Sequence, residues 1–352
     1  MTSKSINKAA RKTIFYLFVT TLLVGILLPV YFLVTLSFLS TREAYQFPLP
    51  MTPALKTDLK LGYGERGYLL SVWERSEDDY ATVLDTNDLD KMRVYIQSIL
   101  GTKITDEELA EQIARLESSG EEEVFFTQPR NLLYNYETFF RVTRDAVPAL
   151  MRSIQIALIT IVISLVIGGM AGYAFARYLF RGRDALKFSV LFVRMFPGVA
   201  IAIPMVLILA NMGLYDQPMG LALIYSVGSI GLTVWITASI FLGIPVSMEE
   251  AAQVFGATKL QSFVRITLPL AFPGLAAAAM YAFLGAWNET VAAIILTQFN
   301  PTFSVVVYQT LLGATGQVNL AAAGGIAMAV PAVFFTFFIR KYINQMWGGM
   351  RV

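Results

Sequence analysis

Of the 352 residues, 56% are hydrophobic and 15% charged, against about 25% charged in soluble domains, so the composition is that of a membrane protein. The net charge of +2 carries no signature of nucleic-acid binding. With no Cys and no His, thiolate nucleophiles, disulfides, Cys/His metal sites and His general bases are excluded together.

Charge is unevenly placed. Residues 41–150 hold 20 of the 25 acids and 12 of the 27 bases, a net of −8, and the remainder is net +10. A hydrophilic acidic module is thus set into an apolar, slightly basic chain. Residues 1–13 carry Lys4, Lys8, Arg11 and Lys12 and no acid, and Ile14 to Ser40 is then free of charge for 27 residues. That exceeds the ~20 residues that span a bilayer core. The apolar core of a cleaved signal peptide is only about 7–15 residues long. The run therefore reads as a retained first span, with the N-terminus cytoplasmic by the positive-inside rule.

Residues 41–150 are expected outside, as a small mixed α/β insert. Thr105-Asp106-Glu107-Glu108 is a capping box, and Leu109, Ile113 and Leu116 follow at helical spacing. Gly62-Tyr63-Gly64-Glu65-Arg66-Gly67 spells GxGxxG, but a strand-like run follows it where a dinucleotide site needs a helix, so it reads as a turn. Ser153–Ala176 is the second span, with a small-residue stripe at Gly168, Gly172 and Ala176. Arg177, Arg181, Arg183 and Lys187 mark the next loop as cytoplasmic. Met195–Tyr215 is the third span, broken or kinked by Pro197 and Pro204. Arg194 at its inner edge is expected to snorkel to the interface. The loop at Asp216 is external, and the fourth span lies within Met219–Gly243.

The fifth span is expected over Pro273–Leu296, with Gly274, Ala278, Ala282 and Ala286 as a second packing stripe. Asn288 and Glu289 fall inside it. An acid at that depth faces a partner or a wet cavity, so these two residues, with Pro197 and Pro204, are candidates for lining a pathway or a permease interface. The other reading is a structural pair satisfied within the bundle. Residues 297–319 read as an external loop that dips toward the membrane, and Leu320–Ile339 as the sixth span, ended by Arg340 and Lys341 in the cytoplasm. The fold class is an all-α polytopic membrane protein of six spans with an α/β insert. Its parts are 1–40 (tail and first span), 41–150 (insert), 151–343 (five-helix core, with a cytoplasmic loop at 244–270) and 344–352 (cytoplasmic tail).

The loop is the informative stretch. Ser247 and Glu250 spell a capping box, Glu249 favours a helix N-terminus, Gly256 is a left-handed stop, and Thr258 with Gln261 spells a second box. The spacing predicts a short helix over 248–255, a second over 259–266, and a turn at Pro269 into the fifth span. The result is a helix-turn-helix knob that offers Ala251, Ala252 and Phe255 to a partner groove. An ordinary capped loop has the same local chemistry.

The literal pattern says more. Glu250-Ala251-Ala252, Gly256, and Ile266-x-Leu268-Pro269 resemble the EAA-x3-G-x9-I-x-LP signature of bacterial ABC importer permeases. Tyr173-Ala174-Phe175-Ala176-Arg177, Met195-Phe196-Pro197 with Pro204, and Trp287-Asn288-Glu289 resemble the carbohydrate branch, in particular the MalG-type subunits of maltose/maltodextrin importers. The resemblance covers residues 130–345. It implies a type I importer (MetI-like) permease fold and no bond chemistry, since no GxxxxGK[ST] exists and ATP is bound by another chain. It also implies a coupling role for Ser247, Glu249, Glu250, Ala251, Ala252, Phe255, Gly256, Leu268 and Pro269. The implied partners are a MalF-like second permease, a dimer of MalK-like ATPases, an extracytoplasmic sugar-binding protein, the lipid bilayer of the inner membrane and an oligosaccharide. The insert is longer than in the maltose subunit, and the tail Gln345–Val352 is only loosely like that family's glycine-rich tail. Another sugar, a polyol phosphate or a polyamine remains open as solute. A receptor would need a cytoplasmic signalling domain, and a membrane enzyme would need clustered intramembrane acids.

Overall fold

The computed structural model describes residues 3–75, 77–143, 145–313 and 316–348, with side chains from residue 11 to residue 342. The end of the tail, 349–352, lies outside the described residues. The chain divides into two units, 1–143 with 310–327 and 144–309 with 328–352.

In the first unit, α1 (Ser3–Phe38) is 36 residues long, about 54 Å at 1.5 Å per residue. Residues 11–31 of its apolar stretch are exposed, and burial begins near its end, at Thr35 and Ser37. The carbonyls freed at its end are satisfied by Asn135, whose Nδ2 donates to Ser37 O at 2.9 Å and Leu39 O at 2.7 Å. Asn135 lies in α5 (Tyr134–Val142) and accepts in turn from Asn319 Nδ2 at 2.9 Å. Between α1 and α5, α2 (Thr41–Ala44) starts on a Ser40/Glu43 capping box.

The insert is a four-stranded antiparallel sheet, β1 (Lys56–Gly64), β2 (Gly67–Glu74), β3 (Asp79–Thr86) and β4 (Glu123–Pro129), in the order β3-β2-β1-β4. The GxGxxG stretch is the β1–β2 hairpin, closed by the Gly64–Gly67 pair, and Gly67 has φ +135°, open only to glycine. The helices α3 (Leu89–Ser98) and α4 (Asp106–Ser119) complete the module. The Thr105/Glu108 box forms as the spacing predicts. Leu109, Ile113 and Leu116 are buried with Leu59, Leu61, Leu70, Met92 and Ile96 in one core.

In the second unit, α6 (Ala146–Ile163) and α7 (Gly169–Arg177) run as one helix through a wide π turn at Ser164–Gly168. The small-residue stripe lets α10 (Pro218–Leu242) come close: a Cβ on Gly172 would sit 2.0 Å from Thr237 Oγ1. The third span departs from expectation. It is two helices, α8 (Arg183–Phe192) and α9 (Gly198–Asn211), and the helical segments Arg183–Met195 and Gly198–Asn211 are bent by 89°. Pro197 lacks an N–H and biases Phe196 to extended backbone, so the break falls before α9, whereas Pro204 sits inside it.

Helix α13 (Leu268–Trp287) stops at Trp287, short of the expected fifth span, and the chain breaks at Asn288–Thr290 before α14 (Val291–Leu296). Its stripe Gly274, Ala278, Ala282 and Ala286 is buried, and a Cβ on Gly274 would meet Ile240 Cδ1 at 2.1 Å. The stretch expected as a loop at 297–319 contains the apolar helix α15 (Phe303–Leu312). Helix α16 (Val318–Gly348) runs past the expected end, because Arg340 and Lys341 are good helix formers. Among the described residues, five helices are long and apolar enough to cross a membrane, or six when the bent α8–α9 pair counts as one.

Candidate functional site

The stretch after α10 folds as a helical hairpin, by chemistry that differs in part from the sequence reading. Helix α11 (Val246–Val254) starts at Pro245, with no side-chain cap. The Ser247/Glu250 box therefore does not form. Pro245, with φ −57°, sets the entry, which puts Ser247 inside the first turn where its hydroxyl cannot cap. The stop is as expected. Gly256 has φ +90°, its N–H donates to Gln253 O at 2.9 Å, and Ala257 N–H reaches Ala252 O at 3.0 Å. These are the two bonds of a Schellman motif. Helix α12 (Lys259–Ser262) then begins on the Thr258/Gln261 box.

Pro269 does not turn the chain. From Lys259 to Trp287 the backbone is one helix, with a π turn at Phe263–Thr267. A proline at 269 has no N–H for the carbonyl one turn back and crowds it, and the wider turn absorbs the mismatch. The second arm of the hairpin is thus the end of a long apolar helix. Leu268 and Pro269 belong to that helix and not to the hairpin's tip.

The root of the hairpin is a buried ion pair. Arg177 Nη2 lies 2.7 Å from Glu249 Oε1, with both side chains under 10% exposed. Arg177 Nε also donates to Oε1 at 2.8 Å and Nη1 to the Phe241 carbonyl at 2.8 Å, which joins the ends of α7 and α10 to α11. The Tyr173 hydroxyl donates to Glu249 Oε2 at 2.7 Å, and Ser262 Oγ donates to the Glu249 carbonyl at 3.1 Å. Rings enclose the pair, with Tyr173 against Phe263 at 4.7 Å and Phe241 at 5.3 Å. Burial pushes the Glu249 carboxyl up, and the Tyr173 hydroxyl and Arg177 guanidinium more than reverse it, so its pKa lies below the ordinary carboxylate value.

The tip is the opposite. Glu250 is exposed, and Val254, Phe255 and Leu260 are 84%, 91% and 71% exposed. Ala251 is exposed and Ala252 half-buried. Two adjacent glutamates thus have different fates, one facing the root and one facing out. The sequence reading missed Tyr173 and Arg177 as functional partners of Glu249. The available signal was their four-residue spacing, which places them on one helix face.

A second feature lies between α9, α10 and α13, a cavity of about 260 Å³ lined by Arg194, Tyr225, Ser229, Tyr281, Gly285 and Glu289 among others. The expectation of an acid deep within a continuous fifth span is corrected: Glu289 sits at the helix break, where Oε1 accepts from Ala292 N at 2.9 Å. It serves the start of α14 and lines the cavity at once. The Tyr225 hydroxyl is buried without a partner among the described residues. Asn288 is exposed, and neither Asn288, Pro197 nor Pro204 lines the cavity, although Phe196 and Gly198 beside Pro197 do. Trp287 holds α13 to α16, its Nε1 donating to Met328 O at 3.0 Å.

Residues 164–347 match the family described as binding-protein-dependent transport system inner membrane component. The chain belongs to this family. Among its relatives, the trehalose transport system permease protein SugB of Mycobacterium tuberculosis is 35% identical over 213 residues, 59% of this chain and 77% of that one. The maltodextrin transport system permease protein MdxG of Bacillus subtilis is 31% identical over 201 residues, 56% and 72% of the two chains. The osmoprotective compounds uptake permease protein GgtD of Synechocystis is 29% identical over 205 residues, 57% and 69%. The fold is accordingly the MetI-like permease fold of type I importers, carrying an α/β insert. The chain is a permease component and not an enzyme.

Proposed function

We propose that this permease carries oligosaccharides of the maltose or trehalose type inward, by alternating access driven by ATP hydrolysis in separate ATPase subunits. The observation that carries the coupling part is the hairpin itself. It is anchored at its root by the buried Arg177–Glu249 pair and ends in exposed Glu250, Val254, Phe255 and Leu260. An apolar tip on a polar hairpin is a surface for a partner. A push on the tip moves the Lys259–Trp287 helix as a unit, which is how a local displacement becomes a change of state.

In this reading α8–α9 is the broken third of six spans, both termini are cytoplasmic, and the insert and residues 297–312 are extracytoplasmic. The partners are a MalF-like second permease, a dimer of MalK-like ATPases and a sugar-binding protein. Glu249 sets the hairpin in place, and Glu250, Ala251, Ala252, Phe255 and Gly256 meet the ATPase. The solute passes Glu289 and Tyr225, with Asn288 and Pro197 at the helix breaks and Pro204 within α9 beside the path. The sugar preference is supported by the trehalose and maltodextrin relatives, and the osmoprotectant relative marks the alternative solute class.

Reconstitution of the importer in proteoliposomes tests this. With Glu250→Lys or Gly256→Pro we expect insertion to persist, ATP hydrolysis to continue, and solute uptake per ATP to fall by at least about tenfold, or ~1.4 kcal/mol of coupling. Wild-type uptake per ATP in both variants would refute the coupling role. A sugar panel that fails to stimulate hydrolysis, while a polyol phosphate or polyamine does, would refute the sugar reading alone.

A further inference from the structure

The insert contains a cavity that transport through the helical core does not use. Its volume is about 350 Å³, within the ~300–1,000 Å³ of small-molecule sites. The chain leaving α1 and the Pro48–Asp58 segment form it with the ends of β1 and β2, and Arg42, Lys56, Asp58, Trp73 and Arg130 line it. The two arginines are held in place. Arg130, only 3% exposed, pairs with Glu43 and donates Nη2 to the Phe38 carbonyl at 3.3 Å. Arg42 pairs with Glu74, which also accepts from Gln46 Nε2 at 3.2 Å. Each guanidinium keeps a buried Nε–H with no acceptor among the described residues. Both Nε atoms have almost no accessible surface, so a ligand in the cavity meets exposed Lys56, Asp58 and Arg75 rather than these two nitrogens. Trp73, held edge-on by Tyr80 at 5.1 Å, is the aromatic wall.

We propose that this cavity binds a short saccharide, at a site separate from the transport path. A sugar ring offers hydroxyls that both donate and accept, and an apolar C–H face. The Lys56 and Arg75 donors, the Asp58 carboxylate and one indole face are its complement. Four cations, Arg42, Lys56, Arg75 and Arg130, against Glu43 and Asp58 on the lining favour an oxygen-rich ligand. The proposal takes its ligand class from the sugar reading above.

The test is ligand-observed saturation-transfer NMR on the full chain in lipid nanodiscs, with maltotriose, trehalose and sulfate as probes. We expect at least one sugar to bind, and Trp73→Leu to weaken it by about tenfold or more. The rim variant Lys56→Ala/Arg75→Ala, at two exposed positions, should do the same if Trp73→Leu fails to fold. Glu111→Gln, exposed on α4 and off the cavity lining, should leave the signal in place. The site is refuted if neither sugar binds, if binding survives both insert variants, or if sulfate displaces the sugar and Trp73→Leu has no effect on either. Sugar uptake by the assembled importer without insert binding refutes this site alone. Insert binding without sugar uptake leaves the site standing and refutes the transport substrate instead.

Discussion

Helix α4 of the insert and the hairpin 246–262 are built from the same local parts and end in opposite states. Each has a threonine capping box, Thr105/Glu108 in one and Thr258/Gln261 in the other, and each has a left-handed glycine stop, Gly120 and Gly256. Yet α4 buries Leu109, Ile113 and Leu116, whereas the hairpin leaves Val254, Phe255 and Leu260 in the open. Caps and stops thus decide where a helix begins and ends, and they are silent about what it is for. The functional signal is the apolar side chain left uncovered on an element that is otherwise firmly held.

The sharpest way to break the comparison is at the hairpin's root. Arg177→Met leaves Glu249 as an uncompensated buried charge, and we expect a loss of about 3–5 kcal/mol of stability. The double variant Arg177→Met/Glu249→Met should recover most of it. Thermal unfolding in detergent reads both, and equal loss in the single and double variants would show that the pair does not hold the root. The next largest contrast is between the two apolar faces. Leu116→Ala should cost about 2–5 kcal/mol, while Leu260→Ala should stay within about 0.5 kcal/mol and weaken ATPase binding instead. Equal unfolding costs would erase the distinction between a core face and a docking face.

Acid provides a finer test. The Glu249 pKa is depressed in the folded chain, so its stabilisation is complete above the unfolded carboxylate value and is lost as the pH falls through the lower folded one. Unfolding curves of wild type and Glu249→Gln should therefore stay apart down to the ordinary carboxylate range and converge below it, and a separation that persists unchanged below that range would contradict the pairing. The smallest effect is at the caps, where Thr105→Ala and Thr258→Ala should each cost about 1 kcal/mol. A much larger cost at Thr258 would mean that its box does more than start a helix.

How legible was this in the sequence? Long charge-free runs located the helices of TM-length, and the small-residue stripes at Gly172 and Gly274 marked close packing, because both signals are local. The Thr258 box and the Gly256 stop were legible for the same reason. The Ser247 box was misleading because Pro245, two residues earlier, starts the helix first. Pro269 misled because its usual effect was absorbed by a π turn just ahead of it. The Arg177–Glu249 pair joins residues 72 positions apart, and a basic residue at a helix end reads as a topology marker until the fold shows its partner. Glu289 was correctly singled out as an unusual acid, but its place at a helix break depended on where α13 stops, which hydropathy does not fix.

The central claim is that the exposed tip of the hairpin meets an ATPase while the insert does not. The chain has no cysteine, so Val254→Cys and, in the insert, Glu121→Cys each place a single thiol in an otherwise thiol-free permease. The most direct measurement is the rate of maleimide labelling of each thiol before and after a cysteine-free ATPase partner is added. The account predicts strong protection at 254 and none at 121; equal labelling rates at 254 with and without the partner would contradict it.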